Sequence, residues 1–239
     1  MAQSNIHWHI EDSPEAVTRA VLARLKAAAE EAIAARGRFV VALSGGNTPK
    51  AVYRALGADE SVDLSRWILL YADDRCLPVG DPERNDVAVL DSGMAERAGA
   101  HLPMPAQLGP EKAAQAYALM IAPFLPLDVA YLGVGPDGHT ASLFPEHDLD
   151  PVATVVAVHD SPKPPPERVS LGLSTLTDAR QRIVELVGAS KRGLVDRWHG
   201  GESLPIGLAC MNGADVYLDH DAGRGLGDRI SANVPSREA

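Results

Sequence analysis

Two kinds of apolar pattern alternate along this chain. Short continuous runs rich in branched residues, FVVALSGG at 39–46, WILLYADDR at 67–75, LDVAYLGVG at 127–135 and VATVVAVHD at 152–160, read as strands that turn polar at their carboxyl ends. The runs RVSLGL at 168–173, RIVELVG at 182–188 and DVYLDH at 215–220 read the same way. Between them the punctuation is helical. Ser13, Pro14 and Glu15 form a capped start to an alanine-rich helix that ends at Arg36 before Gly37; Thr48 as N-cap with Pro49 opens a second, reaching Gly57. Further helices are expected near Glu111 to Ile121, briefly after His139, over STLTDAR at 174–180 and from Ser190 to His199.

Repeated alternation of strand and helix predicts an α/β fold, a three-layer, doubly wound, mostly parallel sheet with helices on both faces, Rossmann-like in outline. A length of 239 residues with 46% apolar content and no internal repeat suits a single domain over 1–239. SPKPPPER at 161–168 predicts a stiff extended loop, because proline rings fix φ. The segment 220–239, rich in Gly, Asp and Arg, is expected to fray.

Charge and cysteine usage narrow the partners. A formal net charge of −10 speaks against nucleic acid, which is bound through a basic surface that releases phosphate counterions. No apolar run reaches membrane-span length and the first residues lack a basic and apolar leader pattern, so a cytoplasmic protein with no membrane partner is expected. Cys76 and Cys210 have no metal-type spacing and suit a reducing compartment. His7 and His9 alternate, but no compact set of ligands recurs, so no metal is expected. An anionic ligand would have to be met by donors gathered locally.

In parallel α/β sheets ligands bind beyond the carboxyl ends of the strands, so the residues placed there carry the candidate chemistry. Ser44, Gly45, Gly46, Asn47 and Thr48 lead directly into a helix whose free N–H groups suit a phosphate, although a plain tight turn has the same appearance. Asp73, Asp74 and Arg75 end the next strand, where Arg75 can hold an anionic group and a carboxylate can orient a base or water; a solvated charged loop is the simpler alternative. Asp137 and His139 flank Gly138 in a glycine-rich turn, and a carboxylate-oriented imidazole is the natural general base near neutral pH. Arg168 and Lys191, each an ordinary surface cation alone, stand where they can complete an anion cradle. Gly133, Gly135 and Gly138, with Asp160 about twenty residues on, have dinucleotide-binding spacing, but Pro145 leaves no room for a full crossover helix and the match is taken as coincidental.

Taken in order, LSGGNTP, YADDRCLPVGDPERN, LGVGPDGHTASLFP, SPKPPPERVSL and LVGASK resemble the 6-phosphogluconolactonase family, relatives of the glucosamine-6-phosphate isomerases. The resemblance runs over most of the chain up to about Asp219. It implies a metal-free, cofactor-free hydrolase of the oxidative pentose phosphate pathway, with a sugar phosphate lactone as its partner, opening 6-phospho-D-glucono-1,5-lactone to 6-phosphogluconate. It implies His139 as the general base, Asp137 as its orienting group, and Gly45, Gly46, Arg75, Arg168 and Lys191 as substrate-holding groups. Asp73 matches the proton-transfer carboxylate of the isomerases. The isomerase motif resembles DGHIAFNEP; its glutamate aligns with Phe144, which points away from aldose–ketose isomerisation. ADDR stands here where SDER is more usual. The alternatives are a glucosamine-6-phosphate isomerase or deaminase and a non-catalytic sugar-phosphate sensor. Backbone N–H groups are expected to meet the developing alkoxide.

Overall fold

The computed structural model describes residues 5 to 226. Among them are ten strands: β1 (Ile6–Glu11), β2 (Phe39–Leu43), β3 (Trp67–Tyr71), β4 (Asp73–Arg75), β5 (Ala100–His101), β6 (Val129–Gly133), β7 (Val155–Val158), β8 (Arg168–Leu171), β9 (Gln181–Leu186) and β10 (Ala214–Asp219). Eight α-helices join them: α1 (Pro14–Arg36), α2 (Asn47–Ala58), α3 (Asn85–Asp91), α4 (Met94–Arg97), α5 (Pro110–Ile121), α6 (Leu173–Thr177), α7 (Arg192–His199) and α8 (Pro205–Ala209). Seven strands pair in parallel in the order β1-β10-β9-β6-β2-β3-β5, and β4-β8-β7 form a separate antiparallel sheet.

Every residue of β2 and β3 is buried, as strands covered on both faces require. Phe39 and Trp67 are register partners across these strands and their rings meet edge to face at 4.6 Å. α1 starts as its sequence demands. Ser13 is extended and its Oγ accepts from the Ala16 N–H at 3.2 Å; Gly37 closes the other end in the left-handed region, its N–H donating to Ile33 O. The chain leaves β2 toward β3 on one side, and the neighbour on the other side is β6, so the strand order reverses between β2 and β6. There the loops after the two strands diverge and leave a crevice at the carboxyl edge.

Several expectations need correction. α2 begins two residues early, at Asn47 with Gly46 as cap, and Thr48 and Pro49 lie inside its first turn. The short helix expected after His139 is absent. Thr140 and Leu143 form an isolated bridge instead, because Thr140 Oγ1 donates to Gly133 O (2.9 Å) and Ser142 Oγ to Asp73 Oδ2 (2.6 Å), contacts that replace a helical ladder. The runs at 152–160 and 168–173 are strands, but β8 pairs with β4 and β7 with β8, so neither joins the parallel sheet. His7 and His9 belong to edge strand β1, where both approach Asp215 of β10. In the segment expected to fray, Ala222 and Leu226 are fully buried, and the Asp219 carboxylate accepts from the N–H groups of Ala222 and Gly188. Residues 227–239 lie outside the described residues. No helix among the described residues is long and apolar enough to cross a membrane.

Candidate active site

At the crevice between β2 and β6 lies a cavity of about 370 Å³. Its wall is built from the loop Ser44–Thr48, from Asp73, Arg75 and Asn85, from the turn after β6 with His139, and from Lys163, Arg168, Glu185 and Lys191. The candidate site residues read from the sequence therefore line one pocket except Asp137, which is bonded to His139, and Asp74, which is fully buried behind the wall.

The turn after β6 folds tightly, with the Gly138 N–H donating to Gly135 O and the Gly135 N–H to His139 O. This brings His139 Nδ1 to 2.5 Å from Asp137 Oδ1. A Cβ on Gly135 would lie 2.0 Å from His139 Cε1 and 2.5 Å from the Asp137 carboxylate, so the pair can close only over a glycine. With Nδ1–H donating to Asp137, Nε2 is left with its lone pair as an acceptor. Burial lowers the His139 pKa against the raising influence of Asp137, and Lys163 lowers it further. For Asp137 burial acts upward, but His139 and Lys163 outweigh it and the carboxyl titrates below its usual range. A neutral imidazole beside an ionised carboxylate is the state a general base needs. Phe144, fully buried, packs under the imidazole with ring centroids 4.7 Å apart.

The charged wall opposite is held from behind. Asp74 has no exposed surface and accepts from Arg84 Nε (3.0 Å) and from the N–H groups of Asn85 (2.8 Å) and Arg75 (2.9 Å). Burial pushes its pKa up to about 6 in spite of Arg84. Asn85 Nδ2 in turn donates to Asp73 Oδ1 at 2.9 Å, and Ser142 Oγ donates to the other oxygen. Asn85 also explains Gly45: a Cβ there would stand 1.9 Å from Asn85 Oδ1.

Arg75 and Arg168 face each other across the β4–β8 pair. Like charges in direct opposition are unfavourable, so the site supplies a position for an anion between them. Arg75 is steadied by one bond from Nη1 to Glu83 O (2.5 Å), and its buried Nε has no protein partner. Arg168 commits Nε and Nη2 to carbonyls of Lys163, Pro164 and Pro165, which fixes the proline-rich loop, while Nη1 stays 4.0 Å from Asp73 Oδ2. Lys191 Nζ donates to Val134 O at 2.5 Å. At the start of α2, Gly46 provides no side-chain cap, so the first N–H groups of the helix are free for an anion.

Asn85, Ser142, Lys163 and Glu185 were not singled out from the sequence. Asn85 and Lys163 sit within the blocks DPERN and SPKPPPER, and Glu185 is the one charged residue inside the apolar run IVELV, which is a usable signal. Among the described residues no group of three or more His, Cys, Asp or Glu is arranged to hold a metal ion.

The family model for glucosamine-6-phosphate isomerases and 6-phosphogluconolactonase matches residues 12–218. A 6-phosphogluconolactonase of Streptomyces coelicolor is 40% identical over 204 residues, covering 76% of this chain and 78% of its own. That of Mycobacterium leprae is 35% identical over 234 residues, covering 89% and 92%, and that of Homo sapiens is 36% identical over 183 residues, covering 68% and 69%. Among solved structures, a 6-phosphogluconolactonase from Shewanella baltica superposes with a TM-score of 0.81 at 26% identity, over 92% of this chain and 99% of that one. A monomeric glucosamine-6-phosphate deaminase shares the fold at a TM-score of 0.75 and 16% identity, over 91% and 99% of the two chains. On the match over residues 12–218 and these relatives, the chain belongs to the glucosamine-6-phosphate isomerase/6-phosphogluconolactonase family.

Proposed function

We propose that this protein is a 6-phosphogluconolactonase, hydrolysing 6-phospho-D-glucono-1,5-lactone to 6-phosphogluconate. The observation that carries the mechanism is the Asp137–His139 pair at the mouth of a cation-lined pocket. The phosphate is held by Arg75, Arg168, Lys191 and the free N–H groups at Gly45, Gly46, Asn47 and Thr48, and Ser44 Oγ braces that loop on the Gly133 N–H.

His139 Nε2 takes a proton from water as its oxygen attacks the lactone carbonyl carbon. Asp137 keeps the tautomer and stabilises the imidazolium. The resulting tetrahedral alkoxide collapses, the ring C–O bond breaks, and the leaving ring oxygen recovers the proton from His139. The N–H groups of Gly135 and Gly138 are used to close their own turn, so the alkoxide is met by Lys163 rather than by that backbone. Asp73, fixed by Asn85 and Ser142, orients the sugar hydroxyls. Phe144 fills the place where an isomerase carries its second acid, and leaves His139 without a proton-transfer partner on that side. Cys76 and Cys210 are free thiols, in keeping with a cytoplasmic setting for the reaction.

The test is proton release from freshly generated 6-phosphogluconolactone, measured against its spontaneous hydrolysis, with glucosamine 6-phosphate run in parallel. Acceleration of the first alone is expected. Turnover of glucosamine 6-phosphate would support the isomerase reading, and binding of either compound without turnover would support a sensor.

A further inference from the structure

Glu185 is a charged residue that the mechanism leaves without a task. It stands at the carboxyl end of β9, in register with Gly133 of β6, and is 3% exposed. Tyr131 OH donates to its Oε2, while Oε1, also buried, has no hydrogen-bond partner. No cation pairs with it among the described residues. An unpaired carboxylate in such a place is costly, and a neutral acid with an idle O–H is a donor in search of an acceptor.

Its surroundings indicate the acceptor. Glu185 lines the substrate pocket one strand away from Gly133, whose N–H is bound to Ser44 Oγ of the anion loop. Lys191, anchored on Val134 O, follows β9 on the other side. We propose that Glu185 is a proton-carrying binding residue: in the occupied pocket its carboxyl is neutral, Oε2 accepts from Tyr131, and Oε1–H donates to an oxygen of the ligand's phosphate. The terminal carboxyl torsion is soft, so a small rotation turns Oε1 toward the pocket. The ionisable groups facing it are Tyr131 on β6 and Tyr53 on α2, and Asp73, Arg75, His139, Lys163, Arg168 and Lys191 line the same cavity. Burial brings the Glu185 pKa up to about 7, so the unliganded group is largely ionised at pH 8 and must take up a proton when phosphate binds.

The inference rests on the phosphate-ester reading of the ligand, and the experiment separates the two. Binding of 6-phosphogluconate is measured calorimetrically in buffers of differing ionisation enthalpy, from pH 6 to 8.5, for the wild type, Glu185→Gln and Tyr131→Phe. Expected is a proton uptake near pH 8 in the wild type that Glu185→Gln lacks, with the wild-type Kd rising relative to the variant by up to about tenfold per pH unit above 7. Tyr131→Phe removes a bond that favours the ionised form, and the uptake should move to higher pH. Equal proton uptake and parallel Kd profiles in wild type and Glu185→Gln would overturn the role of Glu185. Failure of the wild type to bind 6-phosphogluconate at all would overturn the phosphate reading and this inference with it.

Discussion

Single residues divide the labour between binding and chemistry. Lys191 and Arg168 line the pocket and are proposed to hold the non-reacting phosphate, so Lys191→Ala and Arg168→Ala are expected to raise KM by roughly 10- to 100-fold while kcat changes little. They differ in one respect. Arg168 also ties three carbonyls of the proline-rich loop, so its replacement lowers Tm as well, whereas loss of Lys191 removes one bond to Val134 O. Unchanged KM in both variants, read from steady-state kinetics, would remove them from the binding set. His139 sets the acid limb. Its pKa is lowered by burial from the ordinary 6.5, so the midpoint of the acid limb of kcat is expected below pH 6.5. A kcat profile that already falls between pH 8 and 7 would mean that the imidazole is not held neutral. Glu185 gives a stability signature of its own. A carboxyl with a raised folded pKa favours the fold at low pH and loses that contribution as pH rises through about 7. Glu185→Gln should therefore gain on the wild type between pH 5 and pH 8.5, by about 1 to 3 kcal/mol in denaturant unfolding.

At the level of elements, the strands and helices with a strong local pattern were readable and those defined by distant partners were not. α1 has its cap, first-turn proline and closing glycine all in sequence, and its ends fall where these place them. Replacing Ser13 by Ala removes the bond to the Ala16 N–H and should cost about 1 kcal/mol with no change in kcat, seen as a lower unfolding midpoint. β1 was missed although Ile6, Trp8 and Ile10 alternate with polar residues, because the intervening histidines look like ligands rather than an edge strand. The runs that became β7 and β8 read as strands, but nothing local says that they pair with each other and that β8 pairs with the three residues of β4. That pairing is what sets Arg75 opposite Arg168. The absence of a helix after His139 has the same origin: Ser142 is captured by Asp73, 69 positions earlier.

For the whole molecule, an acidic chain gathers four cations at the carboxyl edge where the strand order reverses. Arg75, the Lys163–Arg168 loop and Lys191 come from three separated stretches and meet because β2, β6 and β9 are neighbours and the small antiparallel sheet carries Arg75 and Arg168 beside them. The Asp137–His139 pair was legible because it is local; the supporting Asp74–Arg84–Asn85 group was not, because its bonds cross ten and eleven positions of irregular chain. In the proposed reaction this assembly works through His139 as the base that activates water. That role is tested most directly by the kcat for freshly generated 6-phosphogluconolactone, compared between the wild type and His139→Ala after subtraction of spontaneous hydrolysis. The expected result is a fall of roughly 10²- to 10⁴-fold with KM little altered. A His139→Ala enzyme turning over at near the wild-type rate would contradict it.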